Sequence, residues 1–350
     1  MATKKSAALK AAAAAAVCTL LTVCSQGSRD GAEQGIKLCL GVLAPSLFPF
    51  MAVTQLFARC GIFNRAGRLL HRPAKRIFGL SGALVPVLIM SLIGGYPVGA
   101  AGAAALYSQG IISEKEARHA ALFMVCAGPG FVISFTGATL LNSAETGAII
   151  LASQASSVII TGLFARLIFG KNDVQEPAMT AQPPSPSFYR ALVESVAAAA
   201  RGMLMICAFA VLFSSVTGIL GQLIKNEAVQ TACAVALEVS GAVSRLAKNG
   251  TVEQIAFAIG FGGLCVHCQI FAALGDIGIS KPLFFLFRII QGLLTALLTH
   301  FVLKLLPRET AVFSTSQVSG AALFGGSLLS GALLIGVIIC FLISVKQIRQ

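Results

Sequence analysis

Apolar runs of about 20 residues recur from end to end of the chain, each long enough to cross about 30 Å of hydrocarbon. Inside a bilayer no water satisfies a free backbone group, so such runs cross as helices or shelter behind other protein. Only 11% of the residues are charged, far below the roughly 25% of a soluble domain. The expectation is an all-α polytopic membrane protein with spans near residues 8–25, 37–58, 119–141, 146–168, 197–221, 254–275, 283–303 and 320–344.

Two further apolar segments, 83–107 and 229–247, are interrupted in the middle. One carries Gly94-Gly95-Tyr96-Pro97, the other Glu238-Val239-Ser240-Gly241. Proline removes an amide donor and clashes with the preceding turn, and glycine weakens a helix further. Either segment crosses with a kink or enters and returns as a hairpin, whose arms of about ten residues reach about 15 Å. Loop charge separates the two. With both segments as hairpins and the N-terminus inside, Lys and Arg divide roughly three to one in favour of the cytoplasmic loops; with both crossing, the division is nearly even. Hairpins are therefore expected, with both termini cytoplasmic.

That topology exposes a repeat. Residues 37–168 and 197–306 each read span, re-entrant helical hairpin, broken span, span, and the two copies are inverted. The sequence echoes around Gly110 and Gly250, and the third element of each copy carries its own break, "AGPGF" at 127–131 and "GFGGLC" at 260–265. Flanking these are an N-terminal span with an outer loop (1–36), a Pro- and Ser-rich cytoplasmic linker (169–196) and a C-terminal span (307–350). Residues 1–25 imitate a signal peptide, but Val23 is bulky where a lipoprotein box needs a small residue, so 8–25 reads as a retained span.

The net charge of +13 does not indicate nucleic acid. Arg59, Arg65, Arg68, Arg72, Lys75 and Arg76 crowd one segment between apolar runs with no acid among them, the mark of a cytoplasmic loop touching anionic lipid. Nine of the ten cysteines lie in or beside apolar segments, where a thiol serves as a small hydrophobe. No Walker A, His-Glu-x-x-His or Gly-x-Ser-x-Gly motif occurs, so neither ATP-driven pumping nor hydrolysis has visible apparatus.

Discontinuous helices at matching places of two inverted repeats point to a midplane binding site in a secondary transporter. Gly95, Tyr96 and Pro97 form the first hairpin tip; the alternative is a buried kink with Gly95 and Gly99 as a packing face. Gly128, Pro129 and Gly130 open a helix whose freed amides attract anions, with Ser134 and Thr136 adding hydroxyls; the alternative is a packing kink. Glu238, beside Ser240 and Gly241, either faces cargo, proton or cation, or pairs with Arg245. Gly263 marks the second break, and Gln269, a donor and acceptor beyond it, is the expected substrate contact. Cys265, His267 and Cys268 fall short of a four-ligand metal site, and His267 reads as a satisfied polar group of the bundle. Arg201 and Arg288, near span ends, are expected to snorkel to headgroups.

The ordered set "GGYPVGA", "GPGF", "LEVSG", "GFGG" with Gln269, and "FRIIQG" resembles the YlbJ-type sporulation integral membrane proteins (stage V sporulation protein V) of the nucleoside-recognition Gate superfamily. Cys126, Ala127 and Cys265 stand where that family usually shows polar residues. The resemblance implies a core similar to concentrative nucleoside transporters, with two hairpins and two broken helices around one site. It also implies passage of a small, planar or anionic, dipicolinate-like metabolite across the cell or outer forespore membrane. No catalytic residue and no cofactor is expected beyond a coupling cation, Na+ or H+. Expected partners are the solute, the bilayer and, as an open alternative, a second copy in a homo-oligomer. The rival readings are a non-transporting scaffold or signalling protein acting with a partner, a nucleoside-type transporter and, third, an intramembrane enzyme.

Overall fold

The structure, a computed structural model, describes residues 21–169 and 187–305 together with residues 15, 18 and 19. Most of the expected first span, residues 170–186 of the linker and the expected C-terminal span lie outside the described residues. Every described element is helical.

The first half opens with α1 (Ser25–Leu38), which continues through a π-helical turn, Cys39–Leu43, into α2 (Ala44–Arg59). Pro45 and Pro49 remove amide donors early in α2, and the long element bends there. An amphipathic helix α3 (Ile62–Ile77) leads to the pair α4 (Leu84–Gly94) and α5 (Val98–Ser108). Next comes α6 (Glu114–Phe123), a non-helical stretch at 124–128, a π-helix at Gly130–Leu140 and the long α7 (Ala144–Phe169). The second half repeats the order without a counterpart of α3. It runs α8 (Phe188–Leu223), α9 (Glu227–Leu237), α10 (Val239–Asn249), α11 (Val252–Phe261), α12 (Gly263–Leu274) and α13 (Lys281–Leu305).

Among the described residues, four stretches are long and apolar enough to cross a bilayer: Ala144–Ile168, Phe188–Leu223, Val252–Leu274 and Lys281–Leu305. The bent α1–α2 element makes a fifth if counted as one span. Both interrupted segments fold back on themselves. Gly99 lies against Ser91 and Gly102 against Val87 across the α4–α5 pair, and Arg245 donates to Gln230 across α9–α10 at 2.8 Å. Each arm has 11 residues and rises about 16 Å, half of the hydrocarbon core.

Local chemistry sets the same boundaries in both halves. Ser113 with Glu116 and Thr251 with Gln254 form reciprocal capping boxes at the starts of α6 and α11. Glu116 is fully buried and also accepts from Ser81 N at 2.8 Å, tying α6 to the approach to the first hairpin.

Two expected boundaries shift. Residues 25–36, read as an outer loop, are the helix α1. Gly27, Gly31 and Gly35 recur every four residues on one buried face, and the backbone of α8 lies directly on them. A Cβ at Gly27 would stand 2.8 Å from Gly218 O. Close backbone approach thus stabilises a helix too polar to be read as a span. Likewise α8 begins at Phe188, inside the expected linker. There Glu194 accepts from Arg190 at 2.9 Å and from Arg59 of α2 at 2.7 Å, while Ala191 and Ser195 are buried.

Candidate functional site

The first hairpin tip turns at Gly95, whose φ of +74° is a left-handed conformation open to glycine. It rests on the break of its own half, since a Cβ on Gly95 would lie 2.6 Å from Gly128 N. Between them the extended stretch is stitched to α4. Ser91 Oγ donates to Met124 O at 3.0 Å, and the Cys126 thiol donates to Ser91 O at 3.1 Å. The second tip mirrors this arrangement. Gly263, at φ +74°, abuts the backbone of Leu237 and Glu238, with a Cβ there 3.1 Å from Glu238 N. Each hairpin tip is therefore seated on a glycine of the broken helix that follows it.

Both tips reach one cavity. Tyr96, Gly128, Glu238, Ser240 and Gln269 line it, with Ala127, Phe131 and Cys265 from the breaks, Leu43 and Leu47 from the first long element, and Ile206 and Ala210 from α8. Its volume is about 30 Å³, room for about two water molecules. The lining holds one carboxylate and no cationic side chain.

Glu238 is 3% exposed and caps α10 with its own side chain, accepting from Ser240 N at 2.9 Å and Gly241 N at 2.6 Å. Arg245 instead bonds Gln230, so the expected alternative of a Glu238–Arg245 pair does not form. A carboxylate on the first turn also complements the positive end of the helix dipole, the place an anionic ligand would otherwise take. Gln269 donates to Cys265 Sγ at 3.4 Å and is nearly buried.

The breaks are held from the opposite half. Arg288 of α13 is fully buried; it donates to Val125 O at 3.0 Å and Leu122 O at 2.8 Å and also bonds Gln291 Oε1. Gln291 adds a 2.7 Å bond from Nε2 to Val125 O. These donors satisfy carbonyls that the end of α6 leaves without helical partners. In the other direction, Tyr96 OH donates to Ile259 O of α11, and Gln154 Nε2 of α7 approaches the same oxygen at 3.5 Å. Gln154 and Gln291 each stand ten residues past the first residue of their helix, at matching places in the two halves. Between them Ser157 and Thr295 share a hydrogen bond of 2.9 Å where α7 crosses α13.

Of the expected site residues, five line the cavity. Gly95, Pro97, Gly241 and Gly263 shape the tips and seats behind it, and Pro129 and Gly130 begin the π-helix beside it. Ser134 is exposed on the outer side of that π-helix and is not brought to the cavity. Thr136 is buried away from the lining. Arg288 does not snorkel, because the carbonyls of α6 recruit it inward. His267 bonds Phe261 O at 2.9 Å among Phe261, Phe284 and Phe285, with ring centroids 5.0–5.3 Å away. Among the described residues no three His, Cys, Asp or Glu side chains group to hold a metal. The apolar lining from α8 and the first long element carried no signal that separates it from other core.

Paired hairpins and broken helices around a buried carboxylate define the site of this integral membrane protein. Residues 40–144, from the π-helical turn to the first residue of α7, match the family model described as Gate, nucleoside recognition. The chain is also similar to the sporulation integral membrane protein YlbJ of Bacillus subtilis (strain 168). The two are 24% identical over 320 residues, covering 80% of this chain and 78% of that protein. No solved structure matches the chain significantly.

Proposed function

We propose that this protein moves a small, planar metabolite across the membrane through the cavity between its two hairpin tips, with a role in sporulation like that named for its Bacillus relative. The observation that carries the reading is the convergence of both tips, each resting on a broken helix, on one buried polar cluster: Tyr96, Glu238, Ser240 and Gln269. Phe131 and Tyr96 offer flat apolar faces, Gln269 offers a donor and an acceptor, and Glu238 offers an acceptor to a hydrogen-bond donor on the solute.

Charge narrows the mechanism. An anionic solute such as dipicolinate meets a carboxylate and no cationic side chain in the lining. It enters with a proton on Glu238 or with a coupling cation, Na+ or H+, whereas a neutral nucleoside-like solute needs neither. A cavity with room for about two waters has to widen before either cargo fits. Movement of a hairpin tip off its glycine seat is the local way to do so. The small volume is also what a non-transporting scaffold of the same fold would show.

The test is ligand-dependent thermal stabilisation of the purified protein against dipicolinate, picolinate and a set of nucleosides, each with and without Na+ and at two pH values. A saturable shift with one class identifies the cargo class and its co-ion. No shift with any of them favours the scaffold reading, in which the protein orients in the cell membrane or outer forespore membrane with both termini cytoplasmic and acts through a partner.

A further inference from the structure

One end of the described unit is strongly basic and is assembled from separate parts of the chain. The helix α3 starts three residues after α2 ends, so it sits where the chain leaves a membrane-embedded helix. One face of α3 is closed by protein. Gly67 lies on Ala83, where a Cβ would meet the backbone at 2.7 Å, and Ala74 is buried. The other face is open and carries Arg72, Lys75 and Arg76, all exposed, within about one turn. Arg166, from the end of α7, donates to Ile77 O at 3.1 Å and also bonds Arg76 O. It thereby closes the carboxyl end of α3 and brings a fourth cation beside Arg76.

Among the described residues, nearby acid does not neutralise this cluster. Glu194, which reaches α2 at the same end, already accepts from both Arg59 and Arg190. Apolar side chains stand among the charges. Leu69 is 87% exposed and Ile77 is 44% exposed on the open face of α3. A solvated loop gains nothing from such residues, whereas a helix at the boundary of headgroups and acyl chains buries them in lipid while its basic side chains reach the phosphates.

We propose that α3 and the end of α7 form a binding site for anionic phospholipid, with the headgroup phosphate held by Arg72, Lys75, Arg76 and Arg166 and acyl chain covering Leu69 and Ile77. Charge complementarity selects the occupant: among the described residues four cations meet no free acid, and the site lies at the end of a membrane-embedded helix. The proposal does not depend on the transport reading.

The test is native mass spectrometry of the full chain from mixed micelles holding equal amounts of phosphatidylcholine and phosphatidylglycerol. Wild-type protein is expected to retain phosphatidylglycerol in preference by about tenfold or more. The Arg72→Gln/Lys75→Gln/Arg76→Gln variant should lose that preference with its melting temperature in neutral detergent unchanged. A control, Lys225→Gln/Lys248→Gln/Lys304→Gln, removes three exposed cations elsewhere and should retain it. Equal retention of the two lipids by wild type, or undiminished preference in the α3 variant, would overturn the proposal. So would displacement of the lipid by millimolar inorganic phosphate, which would identify a site for a free anion.

Discussion

Replacing Gln291 by leucine tests whether the second half of the chain holds the first half's broken helix. The side chain gives a 2.7 Å bond to Val125 O and accepts from the buried guanidinium of Arg288. Leucine fills similar space and makes neither bond. Val125 O keeps Arg288 as a donor, so that loss is about 1 kcal/mol. The guanidinium loses an acceptor where no water replaces it, which costs about 1.5–3 kcal/mol. The sum is about 2.5–4 kcal/mol. Arg288→Met should cost less than its three bonds suggest, because it also removes a buried charge that has no carboxylate partner among the described residues. The double variant should then be more stable than Gln291→Leu alone. Gln154→Leu is the contrasting case. Its bond to Ile259 O is long, and Tyr96 already serves that carbonyl, so the loss should stay below about 1 kcal/mol. The chain has no tryptophan but ten cysteines, several of them buried, so unfolding is best followed with a thiol-reactive dye. A Gln291→Leu protein that melts with the wild type, or a Gln154→Leu protein that melts earlier than Gln291→Leu, would refute the reasoning.

Two further outcomes follow from the seats and the hairpins. Gly95→Ala and Gly263→Ala should each lower stability by about 1–3 kcal/mol from the left-handed backbone alone, and Gly95→Ala should be the worse because its Cβ meets Gly128 N at 2.6 Å; thermal unfolding of both variants checks the order. Single cysteines replacing Arg72 and Gln109, both exposed, should label from the same side of the membrane in a background without native thiols. Labelling from opposite sides would mean that residues 84–108 cross.

The architecture was legible where lipid constrains the chain most. A glycine–proline break inside an apolar run has few solutions in hydrocarbon, and loop charge chose the hairpin for both 83–107 and 229–247. Glu238 was legible for the same reason, since a carboxylate in an apolar run is costly unless something faces it. Its partner was not. Capping of the Ser240 and Gly241 amides by the carboxylate depends on where α10 starts, and Arg245 at a plausible helical spacing points instead to Gln230. The α1 helix escaped because its stability comes from glycine contacts with α8 rather than from its own hydropathy. Arg288 escaped because a basic residue near a span end looks alike whether it reaches headgroups or the carbonyls of Leu122 and Val125. Ser134 reads in the sequence as a hydroxyl beside the break, but the π-helix turns it outward.

The most direct measurement of the central claim is solute flux in proteoliposomes by wild type and Glu238→Gln, with unfolding followed in parallel. Gln keeps the size of the side chain and one acceptor oxygen for the α10 amides, so stability should fall by no more than about 1 kcal/mol. If the carboxylate faces the solute or its co-ion, wild-type vesicles should accumulate a planar metabolite of the dipicolinate or nucleoside class, and the variant should lose flux by about tenfold or more. Undiminished flux in Glu238→Gln, or no flux of any such solute by well-folded wild-type protein, would contradict the account.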